Sequence, residues 1–270
     1  MIGTSPTAKL KPSMRPSLRP VSFVALAGLG LGAAVHAHDE ARLPGDAAAV
    51  QAAAADKPFK LSLGEYRYGG NFGGQDINLR YRRGDSSVWL GAYRDRSFGS
   101  QARGGVDTSW QPFAGSTLAL QPSLQWASGG FQGGSFSVEL GEPWFVQVGI
   151  GRTNTRPYFN LNFDPNDALS FAAGYRDDSG RTYYLMTIRD DRLGTHQQHT
   201  HAVARWPTQN GERITVDLLR KTGIGDNGPV EGWGLAASYD FPDWFVHLAH
   251  EPWQNFSSVT ATRLTVGLRF

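Results

Sequence analysis

Cysteine is absent from the 270 residues, which excludes a disulfide framework, a thiolate metal site and a cysteine nucleophile. Acidic residues are missing from positions 1–37, where Lys9, Lys11, Arg15 and Arg19 are the only charged side chains. Taking these four from the 26 Lys and Arg leaves 22, against 24 Asp and Glu, so the formal net charge of +2 belongs to the leader. A nucleic-acid-binding surface therefore has no electrostatic support. Long apolar runs are also lacking: beyond residue 37 none approaches the ~20 residues of a membrane-spanning helix. No Gly-rich phosphate loop occurs either. The 33 glycines fall at turns or beside large side chains in alternating segments, where they relieve crowding.

What is present begins with the apolar run Val21–Val35 behind the basic stretch Lys9–Arg19, followed by Val35-His36-Ala37. Small residues at the −3 and −1 positions of a cut after Ala37 predict a secretory signal peptide over 1–37. Residues 38–58 are alanine-rich and contain no aromatic side chain. They cannot bury enough apolar surface to order themselves and read as a flexible periplasmic lead-in. A short helix over Ala47–Ala55, resting against or inside the following domain, is the alternative.

The last eleven residues alternate strictly. Thr260, Thr262, Leu264, Val266, Leu268 and Phe270 share one face, and Ala261, Arg263, Thr265, Gly267 and Arg269 the other. A signal peptide, a final alternating strand and a terminal Phe270 together resemble the bacterial outer-membrane β-barrel proteins, with no subfamily marked. The resemblance implies location in the outer membrane of a Gram-negative cell, contact with its lipids, and recognition of Phe270 by the barrel-assembly machinery.

Alternation recurs through 59–270. Strand faces run from Phe59, Leu61 and Leu63 through Ile77–Tyr81, Val88–Ala92, Val106–Trp110, Leu118–Trp126, Phe136–Leu140, Val146–Ile150 and Leu169–Tyr175. They continue through Tyr184–Ile188, Ala202–Trp206, Ile214–Leu218, Leu235–Tyr239 and Val246–Leu248 to the terminal strand. Phe159, Leu161 and Phe163 would add a fifteenth. An odd number, however, starts the barrel from the wrong side of the membrane, so 152–167 is read as one extracellular loop. EPWQNFSS, KTGIGDNGPVEG and DDRLGTHQQH then fall outside, and FPDW, PTQNGE and RDDSGR fall in the periplasm. The expectation is an all-β, closed, antiparallel, up-and-down transmembrane barrel of about 14 strands, with 12 or 16 as the neighbouring even solutions.

A soluble barrel also alternates, with its apolar face inward, but such barrels close near eight strands. Seven tryptophans near strand ends suit interfacial girdles. The other face carries Arg80, Arg82, Glu139, Arg176, Arg189, Asp217 and Arg263, which suits a wet lumen.

Three further groups of residues bear on chemistry. His199 and His201 share a face, yet two imidazoles are thin ligation for a metal, and solvated loop histidines are the simpler reading. His247, with Glu251 or Asp240 as orienting group and Ser238 one strand away, contains the residue types of a hydrolase triad without a nucleophile elbow. Tyr158, Asn160, Asn162 and Asp164 place aromatic, amide and carboxylate groups together, as sugar or peptide binding or an inward-folded constriction would use them. The simpler expectation is an ordinary outer loop. No cofactor and no nucleic-acid partner are expected. The function expected is a passive or mildly selective channel for small polar solutes. A plugged barrel whose outer loops bind is the alternative, and an outer-membrane lipid hydrolase is third.

Overall fold

The computed structural model of the chain describes residues 57–69, 72–161 and 166–270. The leader 1–37 and the alanine-rich stretch up to residue 56 lie outside these residues, as do Asn162 and Asp164. Fourteen strands follow one another: β1 (Phe59–Tyr68), β2 (Phe72–Arg83), β3 (Ser86–Asp95), β4 (Gly99–Thr108), β5 (Leu118–Ala127), β6 (Phe131–Leu140) and β7 (Trp144–Thr153). The second half comprises β8 (Ala168–Arg176), β9 (Thr182–Asp190), β10 (Gln198–Pro207), β11 (Arg213–Gly225), β12 (Gly228–Asp240), β13 (Trp244–Glu251) and β14 (Ala261–Arg269). Each pairs antiparallel with its sequence neighbours, and β1 pairs with β14, which closes the barrel. Closure satisfies every strand edge, the condition for a sheet to stand in hydrocarbon.

The apolar members of each strand point outward. Leu124 on β5 is 61% exposed and Leu90 on β3 58%, whereas Glu139 on the inner face of β6 is 2% exposed. A continuous outward band of Leu, Val, Ile and Phe over so many strands is far larger than the apolar patches a water-soluble monomer tolerates. It is the lipid-facing surface of a transmembrane barrel. Aromatic side chains ring the inner end, where β1 starts and β14 finishes. Phe59 lies 5.1 Å from Tyr81 and 5.6 Å from Phe270, Trp144 lies 4.9 Å from Tyr175, and Phe241 stacks on Trp244 at 3.9 Å. Amphipathic rings at that level match the polar–apolar boundary of a bilayer.

Inside, bulky rings stand opposite glycines across the ladder. Gly105 faces Trp89, whose ring atoms lie 2.7 Å from where a β-carbon would be, and Gly267 faces Phe245 in the same way. Any side chain at these positions would displace an aromatic ring into the lumen.

Two expectations are corrected here. The segment read as a long outer loop between β11 and β12 is mostly strand, and the hairpin turns tightly at Asp226-Asn227 before Gly228, which has φ 114°. An Asp-Asn-Gly sequence supplies the conformations such a turn needs. The inner connection of β4 leaves its ladder at Thr108, so Trp110 makes only an isolated bridge to Leu120.

Candidate functional site

Strand parity sends Lys60, Arg80, Arg82, Arg103, Arg176, Arg205, Arg213, Lys221, Arg263 and Arg269 into the lumen, against Asp76, Asp95, Asp107, Glu139, Asp190, Asp217, Asp240 and Glu251. Most of these acids are held by cations. Arg80 reaches Asp107 at 3.5 Å and Ser87 at 3.2 Å, and the Ser87 hydroxyl donates to Asp107 at 2.8 Å. Arg103 donates to both oxygens of Asp76 at 2.8 Å. Arg176 donates to Glu139 at 3.3 Å while its guanidinium sits 4.7 Å from the Phe145 ring. Asp240 is shared by Arg213 and Arg269. Between the charges, the Gln121 carbonyl accepts from the Ser137 hydroxyl at 2.9 Å and from the Gln147 amide at 2.7 Å. Charged and hydrogen-bonded groups thus form a polar lining behind a greasy exterior.

Arg189 does not belong to this lining. On β9 the inward residues are Thr182, Tyr184, Met186, Ile188 and Asp190, and Arg189 faces outward with Tyr183 and Leu185. The strand TYYLMTIRD is apolar on both faces, so alternation alone could not orient it. Register decides: Leu185 pairs with Ala173 and Ala202, both on the outer face.

The outer end is narrowed by two connections. Residues 154–161 do not stand above the barrel as an ordinary loop. They leave β7 and cross to the wall formed by β4, β3 and β1, three to six strands away around the barrel. There the Phe159 ring stacks on Tyr93 of β3 at 4.5 Å and lies 6.2 Å from Tyr68 of β1. The Phe159 amide donates to the Gln101 side chain of β4 at 2.7 Å, and the Gln101 amide donates to the Phe159 carbonyl at 3.0 Å. Leu161 joins Tyr66, Tyr68, Tyr93 and Ala261 in a buried cluster. At the loop's return, Asp167 is 1% exposed and accepts from Thr153 Oγ1 at 2.8 Å and Arg192 at 2.6 Å. Phe159 and Leu161, two of the side chains that imitated a fifteenth strand, are therefore the anchors of a constriction.

Tyr158 and Asn160, candidates for ligand contact, serve this anchoring. The Tyr158 ring stacks on Phe131 at 3.7 Å, its hydroxyl accepts from the Asn166 amide at 2.7 Å, and Asn160 is buried. The second connection, 252–260, turns through Trp253, Asn255 and Phe256 in left-handed backbone conformations. It is tied down by Lys221, which pairs with Glu251 and donates to the Trp253 carbonyl at 2.8 Å. Phe256 stacks over His199 at 5.2 Å.

His199 and His201 both face the lumen, 6.0 Å apart. His201 Nδ1 lies 2.9 Å from Asp217, which makes that nitrogen the donor. Among the described residues no group of three or more His, Asp or Glu side chains is arranged to hold a metal ion. Ser238 and His247 are directly paired across β12 and β13 and face the lumen together. The orienting acid is engaged elsewhere, however. Glu251 is bound by Lys221, Asp240 by Arg269, and His247 Nε2 accepts from Arg263 at 3.2 Å. Both candidate acids are thus held by cations, and the imidazole Nε2 faces a guanidinium.

No protein-family model and no curated protein matches the chain. Among solved structures, the Acinetobacter baumannii outer membrane protein Omp33 aligns with a TM-score of 0.51 at 10% identity, over 79% of this chain and 98% of that one. A mutant porin of Rh. blastica aligns at 0.45 with 10% identity, over 78% and 98%. The fold is that of bacterial outer-membrane β-barrel proteins, a statement carried by the likeness to Omp33 and by the closed 14-strand topology.

Proposed function

We propose that the protein is a narrow outer-membrane channel for small polar solutes, leaning toward anions. The observation that carries the reading is the inward polarity of a closed sheet whose outside is apolar. Such a lining keeps water in the lumen and filters what crosses by size and charge. Inward-facing Lys and Arg outnumber Asp and Glu, and the excess attracts negatively charged or electron-rich solutes. Loop 154–161, stacked through Phe159 on Tyr93, narrows the lumen at the outer end. A barrel of 14 strands falls between those filled by their own side chains and those with an open aqueous channel. That intermediate size suits a restrictive pore.

The same reading includes export by cleavage after Ala37, residence in the Gram-negative outer membrane, and delivery by the barrel-assembly machinery through Phe270. Planar-bilayer recording of purified, inserted protein tests the channel. Discrete current steps with a reversal potential favouring chloride over potassium are expected, and Phe159→Ala is expected to enlarge the steps severalfold. Inserted barrels that stay electrically silent in both forms would contradict the reading.

A further inference from the structure

The connection between β13 and β14 is folded against its own backbone preference. Trp253, Asn255 and Phe256 have φ of 54°, 50° and 56°, in the left-handed region that residues with a β-carbon disfavour. Such conformations persist only where the surroundings hold them. Part of the hold is a seat at the outer end of β10 and β11. Phe256 is buried, and its ring lies 5.2 Å from that of His199 and 5.3 Å from Lys221 Nζ. Its carbonyl accepts from the Asp226 amide at 3.3 Å and presses on Gly225, where a β-carbon would collide with it. Farther along, Val259 packs on the cluster of Tyr66, Tyr68 and Tyr93 that also takes Leu161 of the other inward connection.

The rest of the hold is one side chain. Lys221 is 0% exposed, pairs with Glu251 at the end of β13, and donates to the carbonyls of Pro252 at 3.3 Å and Trp253 at 2.8 Å. These partners are three consecutive residues, at the root of the connection. A buried ammonium is tolerated only where its charge and its N–H groups are met, so Lys221 and residues 251–253 fix one another. Without that pin, the left-handed residues beyond it gain by relaxing.

We infer that Lys221 is a positioning residue that keeps 252–260 folded over the lumen, and that the connection moves outward when this hold is lost. The positioning stands on the contacts alone. Only its consequence for conduction rests on the channel reading above.

The absence of native cysteine allows a direct test. Spin labels are placed at Ser258→Cys, an exposed position of the connection, and at Ser128→Cys, in the β5–β6 turn at the same end. Their separation is measured in liposomes by pulsed electron paramagnetic resonance. Lys221→Met combined with Glu251→Leu removes both charges, so that neither is left buried alone. This pair of changes is expected to lengthen the distance by about 10 Å, the reach of three extended residues. Gly225→Ala spares the ion pair and lifts the Phe256 carbonyl, and is expected to shift the distance part of the way. Arg220→Met, on the outward face of β11 and paired with Glu231, is expected to leave it unchanged. Distances matching the parent in the folded Lys221→Met/Glu251→Leu barrel would overturn the inference. Should that barrel not fold, an unmoved distance in Gly225→Ala would overturn it instead. An equal lengthening in Arg220→Met would also overturn it, since any change on β11 would then release the connection. In bilayers the double variant is expected to enlarge the current steps severalfold. Lengthened distances in barrels silent in every form would refute the channel and leave the positioning intact; steps in the parent, with distances and steps unaltered in the variants, would do the reverse.

Discussion

Strands β2–β7 and strands β7–β10 line the same lumen with different chemistry. On the first wall inward side chains hydrogen-bond across the ladder, as Gln121, Ser137 and Gln147 do, or form ion pairs, as Arg103 and Asp76 do. Such a wall supplies partners to many of its own polar groups, while Gln121 Nε2 and the Nε atoms of Arg80 and Arg103 have none among the described residues. The second wall presents Phe145, Ala172, Met186 and Ile188, which pack on one another in a buried apolar cluster. The difference shows that facing the lumen does not by itself mean facing water. Arg176 marks the boundary between the two: it grips Glu139 on the polar side and lies over Phe145 on the apolar side.

The largest effect is expected where that boundary is broken. Arg176→Met removes the guanidinium from a carboxylate that is 2% exposed and is expected to cost about 3–5 kcal/mol. Adding Glu139→Leu is expected to recover most of the loss. Urea unfolding of the barrel in liposomes measures both. A double variant no better than the single one would show that the pair is not acting as a unit.

Next comes the apolar wall. Met186→Ala deletes a side chain that is 2% exposed and is expected to cost about 2–5 kcal/mol. A change within error in the same unfolding assay would mean that Met186 meets water and that the two walls differ less than described.

The smallest effect concerns the turn that fixes the register of β9. Asp177 accepts from the Ser179 hydroxyl at 2.5 Å and from the Arg181 and Ser179 amides at 3.0 and 2.9 Å. These bonds, the Ser179 hydroxyl foremost, hold its carboxyl below the ordinary aspartate value despite slight desolvation. A folded value below the unfolded one favours the folded state above the ordinary aspartate range. That contribution is lost as pH falls through the folded value. Carbon-detected NMR titration of Asp177 is expected to show a midpoint below about 3.9; a midpoint at or above that figure would contradict the capping role.

Much of this architecture is legible in the sequence because period-two alternation and the inside–outside parity of turns are independent constraints. Together they yield fourteen strands and assign 152–167 to a connection rather than a strand. Arg80, Arg82, Glu139, Arg176, Asp217 and Arg263 stand on strands with one polar face, and they do face inward. Arg189 failed because β9 is apolar on both faces, and only pairing with Ala173 and Ala202 orients it. The inward fold of 154–161 is one of the arrangements its aromatic and amide side chains allow, and the same segment reads equally as an ordinary outer loop. In an outer connection, large apolar side chains at alternate positions are themselves a sign of burial, since exposure to water disfavours them.

The account depends most on which side of the sheet each β9 residue occupies. Bimane attached to Leu185→Cys or to Met186→Cys, in barrels reconstituted with spin-labelled lipid, measures this directly. Strong quenching at 185 with little at 186 is the predicted result; strong quenching at 186 with little at 185 would contradict it.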